Sequence, residues 1–318
     1  MSEGVEDAAT TVFADHRQLL FSVVYSMLGS VADTEDVLQE TWLRWAGRVR
    51  GSRDNIAHPR AYLVRIAVNQ ALTRRAAINR RRETYVGPWL PEPLISEMEP
   101  GRPAQDAAQD AVRAETLSVA VLVVLETLTP LERAVFVLHE VFGYPHADIA
   151  DILDRRPASI RQLAHRAREH VQARRPRFRA DPGTQQRVTE KFLATQQDGD
   201  VAGLMELLAP EVVLWTDGGG KVPSAALRPV HGSERVARLV TSKKVTNRIP
   251  RLGIGYRLVN GDPAALIFSA GAPFAVVVFD IDPATERISG IYAIANPDKL
   301  ACLGSGRAPA ATGTADFG

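Results

Sequence analysis

Residues 129–175 constrain the fold of this chain more than any other stretch. Thr129-Pro130-Leu131-Glu132 has the spacing of a capping box, with proline at the first helical position, where its missing N–H would be unpaired anyway. Leu131, Ala134, Val135 and Leu138 carry that helix inward, and Gly143 can end it. A short helix through Ile149, Ala150 and Leu153 follows. Asp154-Arg155-Arg156 then reads as a tight turn, because aspartate tolerates a left-handed backbone. From Pro157 the apolar positions Ile160, Leu163, Ala164, Ala167 and Val171 form one helical stripe. The opposite face carries Arg161, Gln162, His165 and Arg166. Arg155, Arg156, Arg168, Arg174, Arg175, Arg177 and Arg179 surround it, and Glu169 is the only acid from 155 to 179. The pattern predicts a helix-turn-helix. Its second helix would offer Arg, Gln or His to base edges in the major groove while flanking arginines hold phosphates. The basic helix alone would equally suit a solvated surface; the capping box, turn and stripe together favour DNA.

The net charge of +1 over 318 residues hides strong segregation. Residues 1–50 are acidic. Residues 60–82 hold Arg60, Arg65, Arg74, Arg75, Arg80, Arg81 and Arg82 with no acid, residues 92–140 are acidic again, and 155–179 are basic. Such alternation suits a chain that meets DNA on some faces and protein on others. The single cysteine, Cys302, excludes an internal disulfide and fits a reducing cytosol. No signal peptide is visible, and the apolar run 119–125 is too short to span a bilayer, so a cytoplasmic protein with no membrane contact is expected.

Residues 9–80 read as helical. Val12, Leu19, Leu20, Val23, Val24, Met27 and Leu28 give an amphipathic helix ended near Gly29, and Asp33 is placed to cap the next. There Leu38, Trp42, Trp45 and Val49 share a stripe, with Glu35, Asp36, Gln39 and Glu40 on neighbouring faces. First-turn acids complement the helix dipole, which accounts for Glu35 and Asp36 better than for Gln39 and Glu40. Pro59 opens a helix through Tyr62, Leu63, Ile66, Ala67, Gln70 and Ala71 into the arginine run. Tyr62 suits either core packing or base stacking. The loop before it, with Gly51, Ser52, Asp54 and Asn55, could hold an extruded base.

Gly87-Pro88-Trp89-Leu90-Pro91-Glu92-Pro93 stops helix formation. A linker over 85–112 is expected, with a reach on the order of 80 Å when extended. After Pro182 the texture changes. Two helices are expected in 185–209, with Phe192, Leu193, Leu204 and Leu208 inward. Strands follow at 212–215, 265–269, 274–281 and 288–294, with a hairpin turn at Asp282-Pro283-Ala284-Thr285. This is an α+β domain. The Gly/Ala/Pro-rich residues 304–318 are expected to be disordered.

These segments resemble extracytoplasmic-function sigma factors of bacterial RNA polymerase. The stretch from Asp33 to Trp42 is similar to the polymerase-binding segment of region 2. The stretch from Pro59 to Asn69, with the arginines after it, is similar to the segment that engages and melts the −10 element, and 129–175 to region 4, which reads the −35 element. Thr73 departs from the pattern, since many relatives carry Asp there. Tyr85 to Pro93, Asp217-Gly218-Gly219-Gly220-Lys221 and Asn296-Pro297-Asp298-Lys299-Leu300 resemble the subgroup with a fused SnoaL-like domain, cone-shaped like nuclear transport factor 2 relatives.

The resemblance implies two all-α sigma domains, region 2 at 8–84 and region 4 at 113–178, then an α+β SnoaL-like domain at 184–303. It implies core RNA polymerase and promoter DNA as partners, no metal or redox cofactor, and no enzyme activity. Asp33, Glu35, Asp36, Gln39, Glu40 and Trp42 would face polymerase. Asn69, Arg74, Arg75, Arg80, Arg81 and Arg82 would serve the −10 element. Arg155, Arg156, Ser159, Arg161, Gln162, His165 and Arg166 would serve the −35 element. Trp89, Asp217, Lys221, Asn296, Asp298 and Lys299 are expected to regulate, with the apolar linker around Trp89 and Leu90 docking on the C-terminal domain. An alternative is a bifunctional chain whose C-terminal cavity binds or converts a small hydrophobic ligand. Asp217, His231, Asp280 and Tyr292 are then the acid–base candidates, provided they converge; His231, just before Gly232-Ser233, also suits a structural role at a helix start. A plain DNA-binding repressor is a third reading.

Overall fold

The computed structural model describes residues 2–51, 56–96, 117–173, 180–243 and 252–303. Ser52, Asp54 and Asn55, the linker beyond Ser96, Arg174, Arg175, Arg177, Arg179 and the tail from 304 lie outside them, as do the side chains of Arg82 and Cys302. The described chain divides into two compact units, one formed by residues up to 83 with 117 and 122–173, the other by 84–96, 118–121 and 180–303.

In the first unit, α1 (Ser2–Leu28) buries Leu20, Val23, Val24 and Leu28 completely and stops at Gly29, whose φ is +68°. The next helix, α2 (Val31–Gly51), is capped by Ser30 rather than by Asp33. The Ser30 hydroxyl accepts the Asp33 N–H at 3.3 Å, which leaves the Asp33 carboxylate for side-chain partners. Pro59 begins α3 (Pro59–Arg82). Beyond α4 (Val119–Leu125), the expected capping box opens α5 (Pro130–Phe136). Thr129 accepts from Glu132 N at 3.3 Å, and the Glu132 carboxylate accepts from Thr129 N at 3.0 Å. A π-helical turn, Val137–Val141, leads to α6 (His146–Leu153); Asp154 then adopts φ 52°, ψ 56° and starts the turn into α7 (Pro157–Gln172).

The helical segments expected as separate modules share one core. Leu20, Val24, Leu63, Val64 and Ala67 cluster with Ala134, Val135, Leu138, Ile149 and Ile160. Each stripe buries an apolar face against the others, which removes it from water.

In the second unit, α8 (Pro182–Gln197), α9 (Val201–Leu207) and α10 (Ser233–Val240) pack on one face of a seven-stranded sheet. Its strands are β1 (Ile95–Ser96), β2 (Leu208–Asp217), β3 (Val230–His231), β4 (Leu252–Val259), β5 (Asp262–Ser269), β6 (Ala272–Ile281) and β7 (Ile288–Ile294), in the order β1-β4-β5-β6-β7-β2-β3. Only β2 and β7 run parallel, pairing Asp217 with Ile294. The first twelve residues of the expected linker are not free. Ile95 and Ser96 pair with Val259 and Leu258, and Asn260 holds Leu94 through two hydrogen bonds, so the segment adds an edge strand to this unit. After β7, Asn296 caps the short helix α11 (Pro297–Leu300).

Candidate functional sites

The helix-turn-helix presents its basic face outward. Arg155, Arg156, Arg161, Gln162, His165 and Arg166 are exposed and Ser159 is half-buried, while Ile160, Ala164, Ala167 and Val171 are buried. Arg168 is tied at 2.5 Å to Glu140 on the π-turn, and His165 lies 3.5 Å from Glu169.

The basic end of α3 differs from expectation. Arg75 is 4 % exposed; it donates to Glu126 at 2.5 Å and to the Leu28 carbonyl, so it is not available to DNA in this arrangement. Arg74 bridges Asp33 at 2.7 Å and Asp36 at 2.5 Å, and Arg81 reaches Asp33 at 2.9 Å. The reason is proximity: α2 lays Asp33 and Asp36, near its start, along the basic end of α3, and opposite charges neutralise each other locally. Burial raises the Asp33 carboxyl, but hydrogen bonds from Arg81 and Arg74 outweigh it and hold the group below its ordinary range. Asn69 donates to the carbonyls of Arg65 and Ile152, at 2.8 and 3.0 Å. Thr73 turns its hydroxyl back to Asn69 O. Arg80 and Arg81 are exposed.

Of the residues expected to face polymerase, Asp33 is buried and Glu35 pairs with Arg17 at 2.6 Å, while Gln39 and Glu40 are exposed. Trp42 is half-buried against Phe13. Sequence reasoning missed Glu126 and Arg133. Arg133 is 1 % exposed, donates to Glu126 at 2.5 Å and to Ser26 O at 2.9 Å, and burial presses its guanidinium down to about 10. Its signal was weak: an arginine beside the apolar Ala134 and Val135, seven residues after a glutamate.

In the second unit, Asp217 is fully buried at the end of β2 and accepts four hydrogen bonds. Tyr85 OH, at 2.5 Å, and Gly219 N, at 3.1 Å, meet one carboxylate oxygen; Leu90 N, at 2.8 Å, and Lys299 Nζ, at 2.6 Å, meet the other. That saturates the acceptor capacity of a carboxylate. The Lys299 ammonium also donates to Leu90 O and stands 4.1 Å from the centre of the Trp89 ring, a cation–π distance. Asn296 donates to Tyr85 OH at 2.8 Å. Gly219, at φ +57°, is packed so closely on the Asn296 amide that a Cβ has no room. Outside, exposed Lys221 pairs with Asp298 at 2.6 Å. Of the six residues expected to regulate, Asp217, Asn296 and Lys299 therefore meet the segment 85–90, which holds Trp89, and Tyr85 joins them, while Lys221 and Asp298 pair with each other outside. Burial, then the Asp217 carboxylate, raises the Tyr85 phenol.

The four acid–base candidates do not converge. Side chains alternate along strands. Leu214, Thr216, Ala275, Val277, Ile291 and Ala293 face a cavity of about 300 Å³, while Asp217, Asp280 and Tyr292 lie on the opposite side of the same strands. Tyr292 stacks on Trp215 and its phenol is raised, chiefly by burial and then by the Asp280 charge. His231 is exposed on the edge strand β3, and Gly232 caps α10.

A compact helical unit with an exposed basic recognition helix, preceded by a helix of mixed acid and arginine ends, has the build of a transcription factor of the sigma class. Residues 12–82 match the family Sigma-70 region 2, and residues 118–171 match Sigma-70, region 4. The chain is 37% identical to the ECF RNA polymerase sigma factor SigJ of Mycobacterium tuberculosis over 299 residues, covering 89% of this chain and 90% of that one. A probable ECF RNA polymerase sigma factor of the same species, SigI, is 28% identical over 92% of this chain and 95% of its own. The crystal structure of Mycobacterium tuberculosis SigJ superimposes with a TM-score of 0.70 at 33% identity, over 92% of this chain and 98% of that one. The chain belongs to the ECF RNA polymerase sigma factors, and its role is in transcription initiation with core RNA polymerase and promoter DNA. No helix among the described residues is long and apolar enough to cross a membrane.

Proposed function

We propose a division of labour within this sigma factor. The exposed face of α7 reads the −35 element through Arg161, Gln162, His165 and Arg166, with Arg155, Arg156 and Ser159 on neighbouring phosphates. Asn69, Arg80, Arg81 and Arg82 serve the −10 element. Arg74 does so only after leaving Asp33 and Asp36, Arg81 only after leaving Asp33, and Arg75 only after leaving Glu126. Gln39 and Glu40, with Trp42, are the part of α2 best placed for the polymerase.

The C-terminal unit modulates this activity by holding the chain between the sigma regions. One observation carries that reading: buried Asp217 takes two of its four hydrogen bonds from the connecting segment, at Tyr85 and Leu90. A connector fixed at residues 85–96 leaves only the later part to span the regions. Run-off transcription with purified core enzyme tests it, comparing the full chain with Tyr85→Phe, Asp217→Asn and chains ending before and after residue 296. Promoter output or polymerase affinity should shift severalfold in the variants; no shift in any of them refutes modulation.

A further inference from the structure

We infer that Glu140 positions the recognition helix α7, and that the stacked imidazoles of His139 and His146 beside it make this hold, and −35 discrimination with it, weaken on acidification. The inference rests on the reading of α7 as the −35 helix. Its origin is the π-helical turn Val137–Val141, where Phe142 N donates to Val137 O at 3.2 Å. A π-turn holds one residue more than an α-turn, and this re-aims the side chains around it by up to about 100°. Glu140 is one of them. Arg168 of α7 donates to a single oxygen of its carboxylate, through Nε at 3.1 Å and Nη2 at 2.5 Å.

The tie acts on the side of α7 that matters for DNA. Arg168 follows Arg161 by close to two helical turns and so stands on the same side of the helix. Holding one fixes the angle at which the other is offered. The apolar stripe decides which face of α7 is buried, but Ala164 and Ala167, half of its buried side chains beside Ile160 and Val171, are too short to lock the helix against rolling. A charge-assisted pair at the rim supplies that restraint. With side chains 44 % and 30 % exposed it contributes little to stability. The pair therefore governs orientation more than folding.

The same carboxylate oxygen faces a titratable group. His139 Nδ1 lies 2.9 Å from the Tyr144 carbonyl and so carries its proton there, which leaves Nε2 as the basic nitrogen, 3.9 Å from Glu140 Oε1. The His139 ring stacks on His146, with 4.1 Å between centroids and 34° between planes. His146 opens α6, where the helix dipole opposes a cation. Burial lowers His146 from its ordinary 6.5, and the charges of His139, Arg161 and Arg168 lower it further, against Glu140. Other charged or titratable groups stand farther along: Arg60 of α3 is 5.9 Å from the centre of the Tyr144 ring, and His16, His58 and Asp148 line a cleft with that tyrosine. At neutral pH Glu140 thus serves Arg168 beside two uncharged rings. A proton on His139 Nε2 competes with Arg168 for the carboxylate, and one on His146 repels Arg161 and Arg168. Because the rings are stacked, the two sites titrate as a pair. A lowered His146 favours the neutral ring in the folded chain, so the loss develops as pH falls below 6.5.

The test uses the full chain bound to core polymerase, at fixed salt because DNA affinity depends on it. Two affinities are compared, one for a promoter duplex selected by this holoenzyme and one for the same duplex with its −35 element scrambled. Glu140→Gln, folded by circular dichroism, should lower the ratio of the two at least roughly fivefold at pH 7.5, and Arg168→Gln should do the same from the other side of the pair. The wild-type ratio should fall by a similar factor between pH 7.5 and 5.5. In the double variant His139→Asn with His146→Gln, which keeps an N–H donor for Tyr144 O but cannot titrate, it should change less than roughly twofold over that range. A wild-type ratio in both Glu140→Gln and Arg168→Gln overturns the positioning role. A ratio that ignores pH in the wild type, or falls equally in the double variant, overturns the titratable control. Failure of the reading of α7 looks different: Arg161→Ala and Arg166→Ala would then leave the ratio unchanged at pH 7.5.

Discussion

The Asp217–Lys299 pair is almost dry, with side chains 0 % and 7 % exposed. Burying two charges is costly, and removing only one leaves the other without compensation. Asp217→Asn should therefore lower the stability of the C-terminal unit by about 3–5 kcal/mol. The double variant with Lys299→Met should recover part of that loss, a non-additivity that urea unfolding of the four chains of a double-mutant cycle measures. Tyr85→Phe removes one charge-assisted donor and should cost about 1.5–3 kcal/mol. Tyr85 also sets a pH window. Its folded value is raised above the ordinary 10.0, so the stabilisation it gives is complete below that pH and is lost as pH rises through the folded value. Tyr292 and Tyr256 act in the same direction. The part due to Tyr85 is the difference between the wild-type and Tyr85→Phe stability curves above pH 10; superimposable curves would deny it.

Among the elements, the helix-turn-helix was legible nearly residue by residue, because capping, turn and stripe are local rules. Asp154 shows this: the sequence suggested a left-handed turn, and φ is 52°. Asp154→Gly should leave region 4 folded, whereas Asp154→Val should cost about 1–3 kcal/mol, read from thermal unfolding. At the DNA face, Arg166→Ala should cost about 1–3 kcal/mol on the cognate −35 sequence and relax specificity at one position; an even loss across sequences would make Arg166 a phosphate contact. The end of α3 was less legible, because whether an arginine meets DNA or an acid depends on which helix lies beside it. The pairing of Asp33 with Arg74 and Arg81 gives its own signature. The lowered Asp33 value means that its stabilisation is present above the ordinary 3.8 and is lost as pH falls through the folded value. Asp33→Asn should flatten the acid limb of the stability curve of the helical unit. In the C-terminal unit β4 escaped notice, since Gly253 and Gly255 dilute its strand character. The Asn260-Gly261 pair that turns it into β5, at φ 52° and 79°, was a readable hairpin signal.

At the scale of the helical unit, long-range pairing decides what no local rule reaches. Regions 2 and 4 are separated by the long connector, yet they meet in one core and around one partly buried carboxylate. Glu126 receives Arg75 from α3 and Arg133 from α5, each at 2.5 Å, and both guanidiniums are nearly inaccessible. Arg133 further bonds to Ser26 O and Arg75 to Leu28 O, so the end of α1 is fastened by the same cluster. Glu126→Gln keeps the shape but removes the only negative charge these contacts supply, leaving two buried cations facing each other. The expected loss is about 3–5 kcal/mol. Its distribution is the sharper test. A core shared by both regions opens as one cooperative body, so hydrogen exchange in Glu126→Gln should accelerate together in peptides from α1, α3 and α7. Acceleration confined to α5–α7 would mean that the cluster decorates region 4 alone, and that the two regions fold independently despite their contact.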